Sequence, residues 1–157
     1  MMAIEWKHFA FEELGSELLY EILRLRQEVF ILEQKCFYLD ADGLDKKALH
    51  LCAFEAGRLM AYGRILGPGL AYPQPSFGRV LVHRDYRGKG LGKALTHALI
   101  RLAESEFQSK ELCISAQAYL KSFYEGFDFR PEGEEYLDAG IPHIKMIRDG
   151  RRSSYLE

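Results

Sequence analysis

Apolar and polar positions in the first third of the chain follow a strand pattern and then a helix pattern. Residues 4–9 alternate, which predicts a short strand. In residues 17–32, apolar side chains recur at spacings of three and four, which predicts an amphipathic helix with Ser16 as its N-cap. The polar residues 33–47 contain three aspartates and predict a loop.

The middle of the chain is predicted to form strands. Two apolar runs, at residues 49–55 and 59–66, flank the turn residues 56–58 and predict a hairpin. Residues rich in Gly and Pro then predict a loop. The run at residues 77–83, centred on Val-Leu-Val, is the best strand candidate in the chain.

The second half alternates helices and strands, and a glycine-rich turn opens its first helix. The predicted elements are a helix at 91–106, a strand at 112–116, a short helix at 118–125, and strands at 127–130 and 141–147. We expect the polar residues 148–157 to fray. This order predicts one α/β domain over residues 1–157, with a mixed sheet whose strand–helix–strand crossovers lie only in its second half.

Composition excludes several classes of protein. The length of 157 residues suits one domain, and the formal charge of -2 argues against a globally basic nucleic-acid binder. No apolar run approaches the ~20 residues of a membrane span, and no signal-peptide pattern is visible, so we expect a cytoplasmic protein. The three cysteines form no Cys-x-x-Cys motif and predict buried, reduced thiols rather than a metal site.

The strongest chemical signal is the glycine-rich turn at residues 87–92, between the best strand and a helix. Small residues allow a tight turn and let a ligand approach the backbone. Successive N–H groups and the positive end of the helix dipole then favour a bound phosphate. Basic side chains concentrate beside the turn, namely Arg84, Arg87, Lys89 and Lys93.

Two common phosphate-binding motifs do not match this turn. A Walker A loop needs glycine where this chain has Arg87 and a hydroxyl residue where it has Ala94. A dinucleotide fingerprint that starts at Gly88 needs its third glycine at the position of Lys93. Both of these interpretations of the turn are therefore weak.

The turn does match the pattern Arg/Gln-x-x-Gly-x-Gly/Ala through Arg87, Gly90 and Gly92. Residues 122–129 are similar to a Phe-Tyr-x-x-x-Gly-Phe segment, with Asp128 in place of the glycine. By these motifs the chain resembles the GCN5-related N-acetyltransferases (GNAT), from about residue 4 to residue 147. Four further segments resemble the ElaA-like branch of this superfamily: residues 29–34, 38–43, 116–118 and 140–144.

The resemblance implies a single GNAT-like domain with a mixed, largely antiparallel central sheet flanked by helices, in which a splayed strand pair holds acetyl-CoA. The pantetheine arm would bond to the backbone at Val80, Leu81 and Val82, and Gln117 stands where the family often has Asn. The glycine-rich turn would bind the pyrophosphate. The implied pyrophosphate ligands are Arg87, Gly88, Lys89, Gly90, Leu91, Gly92 and Lys93.

The implied reaction is direct acetyl transfer to a primary amine of a small molecule or peptide, without a metal. Tyr124 matches the family tyrosine that protonates the leaving thiolate, and a backbone N–H near Val82 would polarise the carbonyl. Glu33 and His143 are candidates for the base that takes the amine proton. Further base candidates are His50, Glu134 and Glu135.

The acidic run of Asp40, Asp42 and Asp45 is predicted either to attract a cationic amine or to be solvated. Tyr38, Arg64 and Tyr136 are candidates for lining the acceptor pocket.

Two other functions stay open at this point. One is a degenerate coenzyme A-binding or regulatory module without turnover. The other is nucleotide or nucleic-acid binding through the basic residues 84–93, which the net charge disfavours. We expect neither a nucleic-acid nor a membrane partner, and a homodimer is left open.

Overall fold

The computed structural model describes residues 3–150, which hold eight strands and three α-helices. The strands are β1 (Glu5–Ala10), β2 (Leu49–Glu55), β3 (Arg58–Leu66), β4 (Ser76–Val82), β5 (Leu112–Gln117), β6 (Arg130–Pro131), β7 (Tyr136–Asp138) and β8 (Ile141–Arg148). The helices are α1 (Gly15–Arg26), α2 (Leu91–Phe107) and α3 (Lys121–Glu125). Short 3-10 turns occupy Phe11–Glu13, Asp45–Lys47, Arg84–Tyr86 and Ala118–Leu120.

The strands form two antiparallel sheets that meet at one point. The first sheet has the order β1-β2-β3-β4, and the second has the order β5-β8-β6 with β7 also paired to β8. The Cys113 N–H donates to the Pro75 carbonyl at 3.0 Å, beside the starts of β4 and β5. These two strands share no ladder beyond that bond within residues 3–150. The predicted α/β fold with a largely antiparallel sheet and a splayed strand pair is confirmed.

The first helix begins earlier than predicted and changes from an α-helix to a π-helix before it ends. α1 starts at Gly15, whose φ is +76°, and continues as a π-helix over Gln27–Glu33. Ser16 therefore lies inside the first turn, and its predicted role as N-cap is wrong because the chain enters the helix through Gly15. Single π turns are frequent at functional sites.

The first sheet is covered by α1 on one face and by α2 on the other. Ile22 of α1 packs in one apolar cluster with Tyr62 of β3. On the opposite face, a Cβ at Gly63 would lie 2.8 Å from Leu99 Cδ1, so the glycine lets α2 approach β3 closely. All three cysteines are buried and free, as predicted. No helix within residues 3–150 has the length and apolar character that a bilayer crossing requires.

The carboxyl-terminal part differs from its predicted elements. Residues 127–129 belong to the turn after α3, and only β6 remains of the strand predicted at 127–130. No sequence pattern indicates β7, because its three residues are all exposed. Arg148 ends β8 and donates to the Phe127 carbonyl at 2.9 Å, so fraying does not begin there. The predicted tail residues 151–157 lie outside the described residues.

Candidate active site

A cleft of about 970 Å³ opens where β4 and β5 separate. Its walls come from β4, β5, the end of the first helix with the loop after it, and the β7–β8 hairpin. The predicted site residues that line it are Glu33, Val80, Leu81, Val82, Arg87, Gln117, Tyr124 and His143. A second cavity of about 810 Å³, between α1 and β1, contains none of the predicted site residues.

A β-bulge in β4 explains why the two strands separate. Tyr62 pairs with Leu81, but Arg64, two residues later in β3, pairs with Gly78, three residues earlier in β4. Arg79 lies in this bulge at φ +52°, a left-handed conformation that strains a residue with a Cβ. Because a bulge bends its strand, the cleft opens from this position.

The loop that carries Asp40 and Asp42 holds Arg79 in the bulge. Its Nε lies 2.8 Å from Asp40 Oδ1, and its Nη2 lies 3.3 Å from Asp42 Oδ2. The Tyr38 ring lies 5.4 Å from the guanidinium carbon, within the range of a cation–π contact. The strained backbone is therefore fixed by contacts from a loop almost 40 residues away.

The same carboxylates are neutralised by buried arginines. Arg26 binds Asp40 and Asp45, each at 2.7 Å, and Arg64 binds Asp42 at 2.5 Å and Asp45 at 2.9 Å. Burial opposes the charged form of Asp42, yet the hydrogen bonds from Arg64 hold the pKa of that carboxyl well below its usual range. Both predictions for this run, attraction of an amine and simple solvation, are wrong because each carboxylate already has a guanidinium partner.

Tyr124 lies on α3 and reaches the cleft from a buried position, with 6% of its surface exposed. Its ring packs against Phe77 and Phe129, with centroids 6.2 and 5.9 Å away. Burial, with a smaller effect of Tyr119, raises the pKa of Tyr124 to about 12. Its hydroxyl therefore keeps its proton at neutral pH and is available as a donor.

His143 and Gln117 are register partners on β8 and β5. The His143 Nδ1 lies 2.7 Å from the Ile141 carbonyl. Because a carbonyl only accepts, Nδ1 carries the proton in the neutral ring and Nε2 keeps a lone pair. The Tyr136 ring stacks on the imidazole at 6.1 Å. Gln117 Nε2 donates to Gln34 Oε1 at 3.0 Å, which orients the amide at the cleft wall.

Glu33 is bound to arginines of the neighbouring turn. Its Oε1 lies 2.7 Å from Arg87 Nη2, and its Oε2 lies 3.8 Å from Arg84 Nε. Arg87 Nε also donates to the Val82 carbonyl at 2.9 Å. One predicted base and one predicted pyrophosphate ligand therefore share an ion pair at the end of β4.

Arg87 is the only residue of the glycine-rich turn that lines the cleft. Residues 88–93, which form the rest of the turn and the start of α2, lie outside the lining. Gly88 and Gly90 both have φ +79°, which a residue with a Cβ adopts only under strain. No side chain caps the start of α2, and its first turn holds no acidic residue. A Cβ at Gly92 would meet no atom within 4 Å. The first N–H groups of α2 therefore have no side-chain cap, as an anion site requires.

The other predicted base candidates lie elsewhere. His50 is completely buried, with Nδ1 2.6 Å from the Tyr62 hydroxyl and Nε2 2.8 Å from the Asp45 carbonyl. Burial lowers the pKa of His50. Glu134 and Glu135 are exposed and do not line the cleft. His50 is thus a structural residue and not a base for this cleft.

Sequence reasoning missed residues that loops and the β7 hairpin bring into the cleft. The Ser115 and Tyr136 hydroxyls are hydrogen-bonded, and burial raises the pKa of nearby Tyr72. Burial and the charge of Asp138 raise the pKa of the Cys36 thiol. No local pattern marks these positions, because their neighbours are distant in the chain. The missed lining residues are Gln34, Cys36, Tyr72, Ser115 and Asp138.

Known proteins share both the sequence and this architecture. The family described as acetyltransferase (GNAT) domain matches residues 17–149. A UPF0039 protein of Synechocystis sp. is 46% identical, over 93% of this chain and 96% of its own length. ElaA of Escherichia coli is 36% identical over 93% of this chain and 97% of its own, and its crystal structure matches with a TM-score of 0.86.

A second solved structure, of an acyl-CoA N-acyltransferase from Pseudomonas aeruginosa, is also similar. It has a TM-score of 0.88 and 38% identity, over 93% of this chain and 99% of its own. The chain therefore belongs to the GNAT acetyltransferase family, on its ElaA-like branch.

Proposed function

We propose that this protein is an acetyl-CoA-dependent N-acetyltransferase that moves the acetyl group directly to a primary amine. The observation that carries the proposal is the position of Tyr124, buried beside the splayed strands at the wall of the cleft. A phenol that keeps its proton at neutral pH suits the protonation of a departing thiolate.

Three features suit the donor. β4 is an edge strand, so part of its backbone at Val80–Val82 is free to bond a pantetheine amide. Gln117, oriented by Gln34, offers a further amide. The open turn at residues 88–93 suits the pyrophosphate, and Arg87 adds a positive charge beside it. Bound acetyl-CoA supplies a thioester carbonyl that is activated for attack.

This chain provides a proton donor, a hydrogen-bond donor for the carbonyl oxygen and a base for the transfer. The amine nitrogen forms the new C–N bond as the C–S bond breaks, and Tyr124 gives its hydroxyl proton to the sulfur. A backbone N–H near Val82 stabilises the negative charge that develops on the carbonyl oxygen. His143 takes the amine proton at Nε2, because its Nδ1 is held by the Ile141 carbonyl. Glu33 is the weaker base candidate, since Arg87 and Arg84 occupy its carboxylate.

An acceptor screen tests this function. Acetyl-CoA is incubated with a panel of primary amines, and both free thiol and the mass of the product are measured. We expect thiol release that depends on the amine, with a product heavier by one acetyl group. Binding of acetyl-CoA without amine-dependent thiol release from any acceptor would favour the module without turnover.

A further inference from the structure

All charged side chains that line the cleft form ion pairs with an oppositely charged side chain, except one. The lining groups are Glu33, Asp42, Arg64, Arg79, Arg87 and Asp138. Glu33 pairs with Arg87, and Asp42 pairs with both Arg64 and Arg79. Asp138 has no cationic partner among residues 3–150. Among the described residues, Asp138 is therefore the one carboxylate of the cleft lining that forms no ion pair.

Asp138 lies on the β7–β8 hairpin, which also carries the proposed base His143. It is the last residue of β7, and the turn through Ala139 and Gly140 connects it to β8. Tyr136, two residues earlier on the same side of the strand, stacks on His143. A cation bound by Asp138 would therefore lie close to the group that removes the amine proton.

The field of Asp138 also reaches across the cleft. Its charge, after burial, raises the pKa of the Cys36 thiol, which belongs to the loop behind the first helix. The exposed carboxylate of Asp138 therefore lies within electrostatic reach of the loop that follows the first helix.

Exposed apolar side chains also line or flank the cleft. Leu39 and Tyr119 line the cleft with 80% and 73% of their surfaces exposed. Phe37 and Leu137 neighbour cleft residues in the chain and are 81% and 72% exposed. Large apolar side chains grouped at the mouth of a pocket are typical of a binding surface.

We propose that the acceptor is a primary amine with an apolar alkyl or aryl substituent, bound as its ammonium ion by Asp138. Its apolar part lies against Leu39 and Tyr119. His143 Nε2 then takes one proton from the ammonium group, which leaves the neutral amine for attack on the thioester carbonyl. The second proton leaves the nitrogen as the amide forms and replaces the proton that Tyr124 gives to the sulfur. The inference rests on the proposed function, because it names the acceptor class of that site.

Phenethylamine and ethylamine form a matched pair of probes, since they share the ammonium group and differ in the aromatic ring. With Asp138→Asn we expect KM for both amines to rise roughly two- to five-fold, the worth of an exposed ion pair, with a smaller change in kcat. With Leu39→Ser we expect KM to rise for phenethylamine alone. Glu134→Gln, an exposed carboxylate outside the cleft, is the control and should leave both values unchanged.

Equilibrium binding of phenethylamine to the protein–coenzyme A complex makes the same comparison without turnover. Binding that weakens with Asp138→Asn supports the site even if no acetyl transfer occurs, and then only the proposed reaction is wrong. Equal affinities of the wild type and Asp138→Asn, or a preference for ethylamine over phenethylamine, would overturn the inference. Unchanged thermal unfolding of each variant shows that a loss of binding is not a loss of fold.

Discussion

Glu33 and Arg87 bind each other, with Oε1 2.7 Å from Nη2, although they stand 54 residues apart in the chain. Arg87 also holds the Val82 carbonyl, so this pair ties the end of the π-helix to the end of β4. A pyrophosphate at the glycine-rich turn would compete with the Glu33 carboxylate for the same guanidinium. We therefore expect donor binding to be coupled to the charge of Glu33.

Glu33→Gln should tighten the binding of coenzyme A. Removing the competing carboxylate frees Arg87 for the pyrophosphate, and we expect Kd to fall about two- to five-fold, the worth of an exposed ion pair. Titration calorimetry at low and high salt measures the effect, which should shrink as salt screens it. Glu28→Gln, which removes an exposed carboxylate on the same helix paired with Arg24, is the control. Weaker binding with Glu33→Gln would mean that Glu33 positions Arg87 rather than competing for it.

Gly92→Leu should abolish the stabilisation by acetyl-CoA while leaving the fold intact. A Cβ at this position would meet no protein atom within 4 Å, so we expect the side chain to extend into the space proposed for the phosphate. For the wild type, ligand at 100 times Kd should add about 2.7 kcal/mol to the free energy of unfolding, seen as a rise in Tm.

The matched control for this substitution is Ala94→Leu, one position beyond the free N–H groups. The Ala94 N–H already donates to the Gly90 carbonyl at 3.2 Å, so it is no anion donor. We expect this variant to keep the full rise in Tm. An equal rise with Gly92→Leu would remove the phosphate from this turn.

Tyr124→Phe should slow the chemical step and leave acetyl-CoA binding nearly unchanged. The ring contacts with Phe77 and Phe129 remain, and only the proton donor is lost. A positioned acid is worth roughly 10²–10⁴-fold, and a thiolate leaves readily, so we expect the low end of that range. Single-turnover transfer measures the step without product release. Equal rates in the two forms would leave Tyr124 with a packing role alone.

Stability should fall in acid because of the Asp42–Arg64 pair. The folded state lowers the pKa of Asp42, so the pair stabilises the protein above the unfolded value of about 3.9 and loses that contribution as pH falls below it. Urea unfolding between about pH 2 and pH 7 measures this slope. Asp42→Asn should lower stability at neutral pH and flatten the slope in acid.

Asp85→Asn is the control for the pH dependence of the free energy of unfolding. Its carboxylate pairs with Arg58 at an exposed site, and exposed pairs contribute little to stability. We expect this variant to keep the wild-type slope. If Asp42→Asn also kept it, the buried network around Arg64 would not be a source of the acid sensitivity.

The residues proposed for the cofactor could be found in the sequence because their signals are local. The turn at residues 87–92 and the segment at 122–129 are each continuous in the chain, and each lies next to a strand or helix with clear periodicity. The structure accordingly places Tyr124 and the β4 residues Val80–Val82 in one cleft. Where periodicity is weak, as in the exposed β7, the element was missed.

Tertiary structure alone decided which side chains the acidic residues of the proposed acceptor site contact. The sequence displays Asp40, Asp42 and Asp138 as similar acidic residues, but charge type does not say which opposite charge each will meet. Folding brings Arg79 onto the first two and leaves the third without a cation among the described residues. These contacts join positions far apart in the chain, and their energy depends on burial and distance, which no local pattern encodes. The sequence by itself therefore determined the fold class and the predicted place of the donor, whereas the three-dimensional pairing of charges decided which carboxylate is left for the proposed acceptor.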